Sequence, residues 1–256
     1  MEKRIRSIFM QMGGFGIVRE NALVHIFILF ISFPGRINFL ALAKHGRYSE
    51  KTYRAHFEKT FDSFEFNKRL ALQACSSHRI IAGDCSYIPK AGKKTPHVGK
   101  FWSGCASKVL PGLEISALAV IDVDANTAFH LECEQTPSDL ADDESRIDFY
   151  VNQVVKRADD LKELADYFVY DGAAAKIKFV DGIVNKTKLG LISKLRNDAD
   201  MRFLYTGPRK PGPGRPKTYD GKINWKNLDT SRFEICYEDD EIIIHTAIVN
   251  SKSLSR

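Results

Sequence analysis

Two aspartates in this chain are placed as metal-assisted chemistry requires. Asp84 closes the run Arg79-Ile80-Ile81-Ala82-Gly83, and Asp171 closes Tyr167-Phe168-Val169-Tyr170. Short apolar runs bounded by turn residues read as strands, here each ending in a carboxylate. Carboxylates held close together cannot both stay ionised unless something positive lies between them. Hard oxygen donors select Mg²⁺ or Mn²⁺. Two such ions about 3.5–4 Å apart activate a nucleophilic water or hydroxyl and stabilise the leaving oxygen of a phosphodiester. An aspartate that merely caps a turn after a strand is the plainer reading. The histidines show no HExxH-type spacing, so none is assigned to a metal.

For the two aspartates to meet, the chain between them must return. Ile115 to Asp122 and Asn126 to Glu134 read as a hairpin with a tight turn at Asp124-Ala125-Asn126. From Asp139 to about Asp166, apolar residues at Ile147, Tyr150, Val151, Val154, Val155, Ala158, Leu161 and Leu164 mark a long amphipathic helix. A crossover of that length can lay the Asp171 strand parallel beside the Asp84 strand. Ligand sites in open α/β sheets gather at the carboxyl ends of such strands. A helix from about Ala173 to Val184 and a strand near Leu189 to Leu195 complete an α/β pattern.

The flanks read differently. Residues 1 to about 75 are helical in pattern. Leu23 to Phe33 is strongly apolar but too short to span a bilayer, and His25 interrupts it. A buried helix is expected there, with a signal-peptide core as the other reading. Further on, a short helix carrying Ile37, Leu40, Ala41 and Ala43 meets a His45-Gly46 turn. Ser49 is a good N-cap for a second, basic helix with Lys51, Arg54, His56 and Lys59. That order describes either a DNA-reading helix-turn-helix or a plain helical hairpin with a solvated basic face. Past Tyr205, four of the nine prolines crowd into a basic, glycine-containing loop. Phe233 to Glu238 and Glu241 to Val249 then read as strands joined by an acidic turn at Asp239-Asp240.

Composition sets the frame. An apolar fraction of 44% over 256 residues is enough to bury a real core. A net charge of +6 suits a polyanionic partner, and equally a basic cytoplasmic enzyme. The five cysteines are odd in number and form no Cys-x-x-Cys pair, so neither a disulfide framework nor a zinc ribbon follows.

Several blocks together resemble the DDE transposases of bacterial insertion sequences. They are Gly83-Asp84-Cys85-Ser86-Tyr87-Ile88-Pro89-Lys90-Ala91-Gly92-Lys93-Lys94, Phe101-Trp102-Ser103-Gly104, Gly112-Leu113-Glu114-Ile115-Ser116 and Glu134-Gln135-Thr136. Later come Tyr170-Asp171-Gly172, Ala174-Ala175-Lys176, Phe179-Val180, Leu195-Arg196-Asn197-Asp198-Ala199 and Tyr205-Thr206-Gly207-Pro208. Pro34-Gly35-Arg36-Ile37-Asn38-Phe39 and Tyr48-Ser49-Glu50 are similar to that family's helix-turn-helix.

The resemblance implies an RNase H-like mixed sheet flanked by helices. It divides the chain into a helix-turn-helix region over 1–75, a catalytic core over 76–200 and the start of a β-rich insertion over 201–256. It implies an Asp-Asp-Glu triad binding Mg²⁺ or Mn²⁺, with Asp84 as first acid and Asp171 as second, both catalytic. The partners it implies are double-stranded DNA, as terminal repeats and target, and a second copy of the chain on that DNA. A bacterial, cytoplasmic, nucleoid-associated setting without membrane contact follows. The family's Glu lies on a helix after the insertion. Here Glu234, Glu238, Asp239, Asp240 and Glu241 fall on or between strands, and the sequence ends directly after one of them. A C-terminally truncated member is therefore expected, with cleavage and strand transfer impaired, or one that only binds DNA or inhibits an intact transposase. An unrelated RNase H-like nuclease is a further alternative.

Lys51 and Arg54 on the basic helix, Lys90, Lys93 and Lys94 after the first acid, and Arg215 and Lys217 in the proline-rich loop are the expected DNA contacts. Solvated turns and loops are the bland reading of the last five. Gly214-Arg215-Pro216-Lys217 also resembles a minor-groove hook. Trp102 is expected to be a buried aromatic, with stacking on a base as the other reading.

Overall fold

The computed structural model describes the chain except residues 93, 173–175, 196–198, 210–211, 252–253 and 255–256. It is a mixed α/β protein that divides into two compact units: residues 1–81 with 117–134, and residues 82–116 with 135–256.

The first unit opens with five helices: α1 (Glu2–Met12), α2 (Ile17–Ser32), α3 (Phe39–His45), α4 (Glu50–Phe57) and α5 (Ser63–Ala74). Ile5, Ile8 and Phe9 of α1 bury against Leu23 and Val24 of α2 and Phe66 of α5. A second cluster joins Ile26, Leu42 and Tyr53. Most of the apolar Leu23–Phe33 stretch thus forms a helix with one buried face, as expected. Among the described residues no helix is long and apolar enough to cross a membrane. His25 is tolerated because its Nε2 accepts from the Arg47 N–H at 3.2 Å and meets the Tyr53 hydroxyl at 3.0 Å. Burial, helped by the Arg47 charge, holds that imidazole below its usual range, the form that can accept. Ser49 caps α4 by accepting from the Thr52 N–H at 3.2 Å, as its sequence position indicates.

The main sheet contains β1 (Arg79–Pro89), β2 (Gly99–Ser103), β3 (Lys108–Asp122), β4 (Thr127–Gln135), β5 (Tyr167–Tyr170) and β6 (Gly190–Ser193). Its order is β2-β3-β1-β5-β6, with β4 paired to β3. The sheet is mixed: β2 runs antiparallel to β3 from Gly99↔Gly112 to Ser103↔Lys108, and β5 runs parallel to β6 from Tyr167↔Gly190 to Tyr170↔Ser193. The hairpin turn between β3 and β4 places Asn126 at φ 48, a left-handed position that asparagine tolerates.

Two expectations about the main sheet and its crossover change. The first strand does not end at Asp84. It continues to Pro89, because its second half lies along the start of a β3 that begins at Lys108 rather than Ile115. The Tyr87 hydroxyl donates to the Pro111 carbonyl at 2.7 Å there. The single long helix is two, α6 (Arg146–Lys156) and α7 (Ala158–Leu164), broken at Arg157 where ψ turns to 11. It also starts late. Asp148 accepts from both the backbone N–H and the hydroxyl of Ser145, at 2.7 and 2.8 Å, and fixes the first turn there.

The helix after β5 is α8 (Ile177–Lys186). Beyond it lie β7 (Met201–Leu204), β8 (Tyr219–Lys222), β9 (Glu234–Glu238), β10 (Ile243–Thr246) and β11 (Val249–Ser251). These make a three-stranded sheet ordered β11-β7-β8 and a β9–β10 hairpin. The region is rich in strands, and the acidic turn at Asp239 closes the hairpin: Asp239 accepts from the N–H groups of Glu241 and Ile242 at 2.8 Å each. The single strand expected from Glu241 to Val249 is instead two: β10 ends at Thr246, and Val249 begins β11, which leaves the hairpin to pair with β7.

Candidate metal-binding site

The site builds on residues 82–89 of β1 and on the neighbouring β5, which belong to the second unit. Side chains alternate along a strand. On β1, Gly83 is buried and Cys85 half-buried, while Asp84 between them is exposed. On β5, Phe168 and Tyr170 are buried. A methyl group on Gly83 would stand 2.8 Å from both the Phe168 and Tyr170 rings. Only a residue without a side chain lets those rings lie over β1 at that point. The Cys85 sulfur and the Tyr170 hydroxyl share a hydrogen bond at 3.1 Å. Gly83, Cys85, Phe168 and Tyr170 therefore share one face, and alternation sends Asp84 to the other.

The buried face is polar under its aromatic cover. Tyr150 of α6 donates to Glu114 of β3 at 2.6 Å, and Glu114 is buried. Ser116 donates to the Gln153 side-chain oxygen at 2.6 Å, and Gln153 donates back to the Ser116 carbonyl at 3.1 Å. Phe179 of α8 packs on Tyr170 with ring centres 4.8 Å apart, and Tyr150 lies 6.2 Å from the same ring. Burial first, then the Cys85 hydrogen bond, pushes the Tyr170 phenol up; the Asp84 and Glu114 charges add to the shift. Tyr150 is pushed up by burial and by its bond to Glu114. The Cys85 thiol is pushed up by burial, against the pull of its hydroxyl neighbours. All three groups are thus neutral and protonated near neutral pH.

Asp84 and Asp171 both lie exposed on this framework. Asp84 accepts from the Cys85 N–H at 2.8 Å through one oxygen, and among the described residues no other protein donor reaches it. Asp171 follows the last residue of β5. Asp84 thus stands on β1 and Asp171 just past the end of the neighbouring β5, and Tyr170, beside Asp171, feels the charge of Asp84. Among the described residues, no cluster of three or more His, Cys, Asp or Glu side chains is arranged to hold a metal. The donor set still fits Mg²⁺, which commonly keeps several waters and takes only one or two carboxylates from the protein.

The other candidate residues sit apart along the chain. Lys51 is exposed on α4. Arg54, on the same helix, pairs with Glu50 at 2.5 Å and lies over the Phe39 ring at 4.5 Å. Lys90 and Lys94 are exposed just past β1, and Lys93 lies outside the described residues. Arg215 and Lys217 are exposed in the loop before β8, where Lys217 pairs with Asp220 at 2.6 Å and covers the Tyr205 ring at 4.6 Å. Trp102 corrects an expectation. It is 58% exposed, because β2 turns Phe101 and Ser103 inward and Trp102 outward.

Sequence reasoning missed Cys85, Tyr170, Tyr150 and Glu114 as partners. A signal was present: the alternation that buries Leu118 and Val120 of β3 also buries Ser116 and Glu114, so polar groups had to be satisfied beneath β1. Searches against known protein families and against curated proteins match nothing to this chain.

Proposed function

We propose that the chain is a metal-dependent DNA-processing protein of the DDE transposase type, with an RNase H-like core and a helix-turn-helix formed by α3 and α4. The observation that carries this reading is the pair of exposed carboxylates, Asp84 on β1 and Asp171 just past the end of the neighbouring β5. These two residues would hold Mg²⁺ or Mn²⁺. A divalent ion so held supplies an activated water or 3′-hydroxyl and charge stabilisation at the leaving oxygen. The chain's own task is to hold two carboxylates at a fixed spacing and to bring a phosphodiester to them. Lys90 and Lys94 follow the strand that bears Asp84 and suit that second task. Lys51 and Arg54 on α4, with Arg215 and Lys217 in the proline-rich loop, would grip the duplex. The partners are double-stranded DNA bearing the ends of a mobile element, and a second copy of the chain. The setting is the bacterial cytoplasm.

The test is nicking of supercoiled plasmid with Mn²⁺ by the purified chain and by Asp84→Ala and Asp171→Ala. Nicking by the wild type that falls to background in both variants is the expected result. Equal nicking by all three would overturn the metal assignment.

The absence of a third acid beside the pair, among the described residues, favours a second reading: a protein that binds DNA without cutting it. Retained DNA binding with no nicking under Mg²⁺ or Mn²⁺ supports that reading.

A further inference from the structure

We infer that Cys85 and Tyr170 are positioning residues whose shared hydrogen bond sets the spacing of Asp84 and Asp171, an inference that rests on the metal-site reading above. Cys85 directly follows the first aspartate, and Tyr170 directly precedes the second. Their 3.1 Å contact therefore crosses from β1 to β5 one residue away from each acid. The bond lies on the face opposite Asp84, so it acts through the two backbones and not by touching a metal.

Three features make it a rigid link. The Tyr170 ring cannot swing away, because it is buried and wedged between Phe179 at 4.8 Å and Tyr150 at 6.2 Å. It cannot slide along β1 freely either, because it rests against Gly83. Neighbouring polar groups have their own partners: Tyr150 on Glu114, and Ser116 on Gln153. The Cys85 sulfur also interacts with both of those hydroxyls, so the bond to Tyr170 belongs to a wider network that holds it in place. Apolar side chains of similar volume would cover this sheet without the cost of burying a hydroxyl and a thiol. What the polar pair adds is direction. Mg²⁺ demands near-ideal octahedral geometry, and a functional site works only when its ligands are held within about 0.5 Å of the productive arrangement.

The experiment titrates Mn²⁺ into the full chain and follows loss of the free-ion electron paramagnetic resonance signal. It compares wild type with Asp84→Asn, Tyr170→Phe, Cys85→Ala and Cys85→Ser, each with its thermal midpoint. Tyr170→Phe and Cys85→Ala are expected to weaken Mn²⁺ binding by about 10- to 100-fold, the usual effect of losing a group that orients a ligand. Cys85→Ser keeps a donor and acceptor at the same side-chain position and is expected to restore most of the binding lost in Cys85→Ala. Wild-type affinity in Tyr170→Phe and Cys85→Ala, with binding lost in Asp84→Asn, would overturn the inference and leave the metal site standing. So would a Cys85→Ser variant no better than Cys85→Ala. Undiminished binding in Asp84→Asn, or none in the wild type, would overturn the metal-site reading itself. Should Tyr170→Phe fail to fold, the serine–alanine comparison at Cys85 decides alone.

Discussion

One oxygen of Asp148 serves three donors: the Ser145 N–H at 2.7 Å, the Ser145 hydroxyl at 2.8 Å and the Lys178 ammonium of α8 at 2.5 Å. Those contacts, led by Lys178, hold its carboxyl down at about 2. A carboxylate whose pKa is lower folded than unfolded stabilises the fold above its unfolded value, near 3.9, and loses that contribution as pH falls towards the folded value. Asp148→Asn should therefore melt earlier than wild type at pH 7, and the gap should close between about pH 4 and pH 2. Thermal unfolding of both proteins at pH 7 and pH 2.5 checks this. A gap of the same size at both would show that charge is not the agent. Asp148 also illustrates what was legible at this scale. Ser145-Arg146-Ile147-Asp148 is a capping pattern, and the apolar rhythm itself begins only at Ile147, so a start at Ser145 was readable although the helix was placed from Asp139. Asp84 and Asp171 were legible because each breaks an apolar run. The Cys85–Tyr170 bond was not, because it joins residues 85 apart in sequence that only the sheet order brings together.

The packing of α8 on α6 gives the element-scale prediction. Phe179 and Ile183 of α8 and Val151 and Val154 of α6 are all buried, and Gly182 sits in the middle of α8. A glycine inside a helix costs about 1 kcal/mol relative to alanine, so Gly182→Ala would stabilise an isolated helix. Here the added methyl would meet Val151 Cγ1 at 2.6 Å. Overpacking of that kind costs roughly 1–3 kcal/mol, which exceeds the propensity gain. Gly182→Ala should lower the urea midpoint, and adding Val151→Ala should recover much of the loss. A midpoint that rises with Gly182→Ala alone would refute the account.

Elements differed in how openly the sequence declared them. β5 was readable to the residue because it is wholly apolar and aromatic and is flanked by turn residues. The β1 extension was not, because Ser86-Tyr87-Ile88-Pro89 has no apolar rhythm and is a strand only through its neighbour β3. The break at Arg157 was hidden because apolar spacing continues in phase on both sides of it. β2, β7 and β8 are four or five residues long, too short for period-two alternation to stand out.

At the scale of the whole molecule, the net charge of +6 is small, and how it is spread matters more than its sum. Binding to duplex DNA releases condensed counterions, so affinity falls linearly with salt on a logarithmic plot, with a slope set by the number of phosphates neutralised. Lys51, Lys90, Lys94 and Arg215 are exposed. Arg54 and Lys217 are already engaged, by Glu50 and Phe39 in one case and by Asp220 and Tyr205 in the other. Replacing an exposed residue that contacts phosphate should reduce the salt slope by about 1. Replacing Arg54 should reduce it less, because its charge is partly balanced by Glu50 before DNA arrives. Fluorescence anisotropy with a labelled duplex between 50 and 200 mM salt (a range over which such contacts lose much of their affinity) separates the two groups. The expected order is a clear slope change for Lys90→Ala and Lys94→Ala, and a smaller one for Arg54→Ala. Slopes identical to wild type in the two lysine variants would remove the stretch after β1 from the DNA path. They would weigh against the cleavage reading in favour of binding alone.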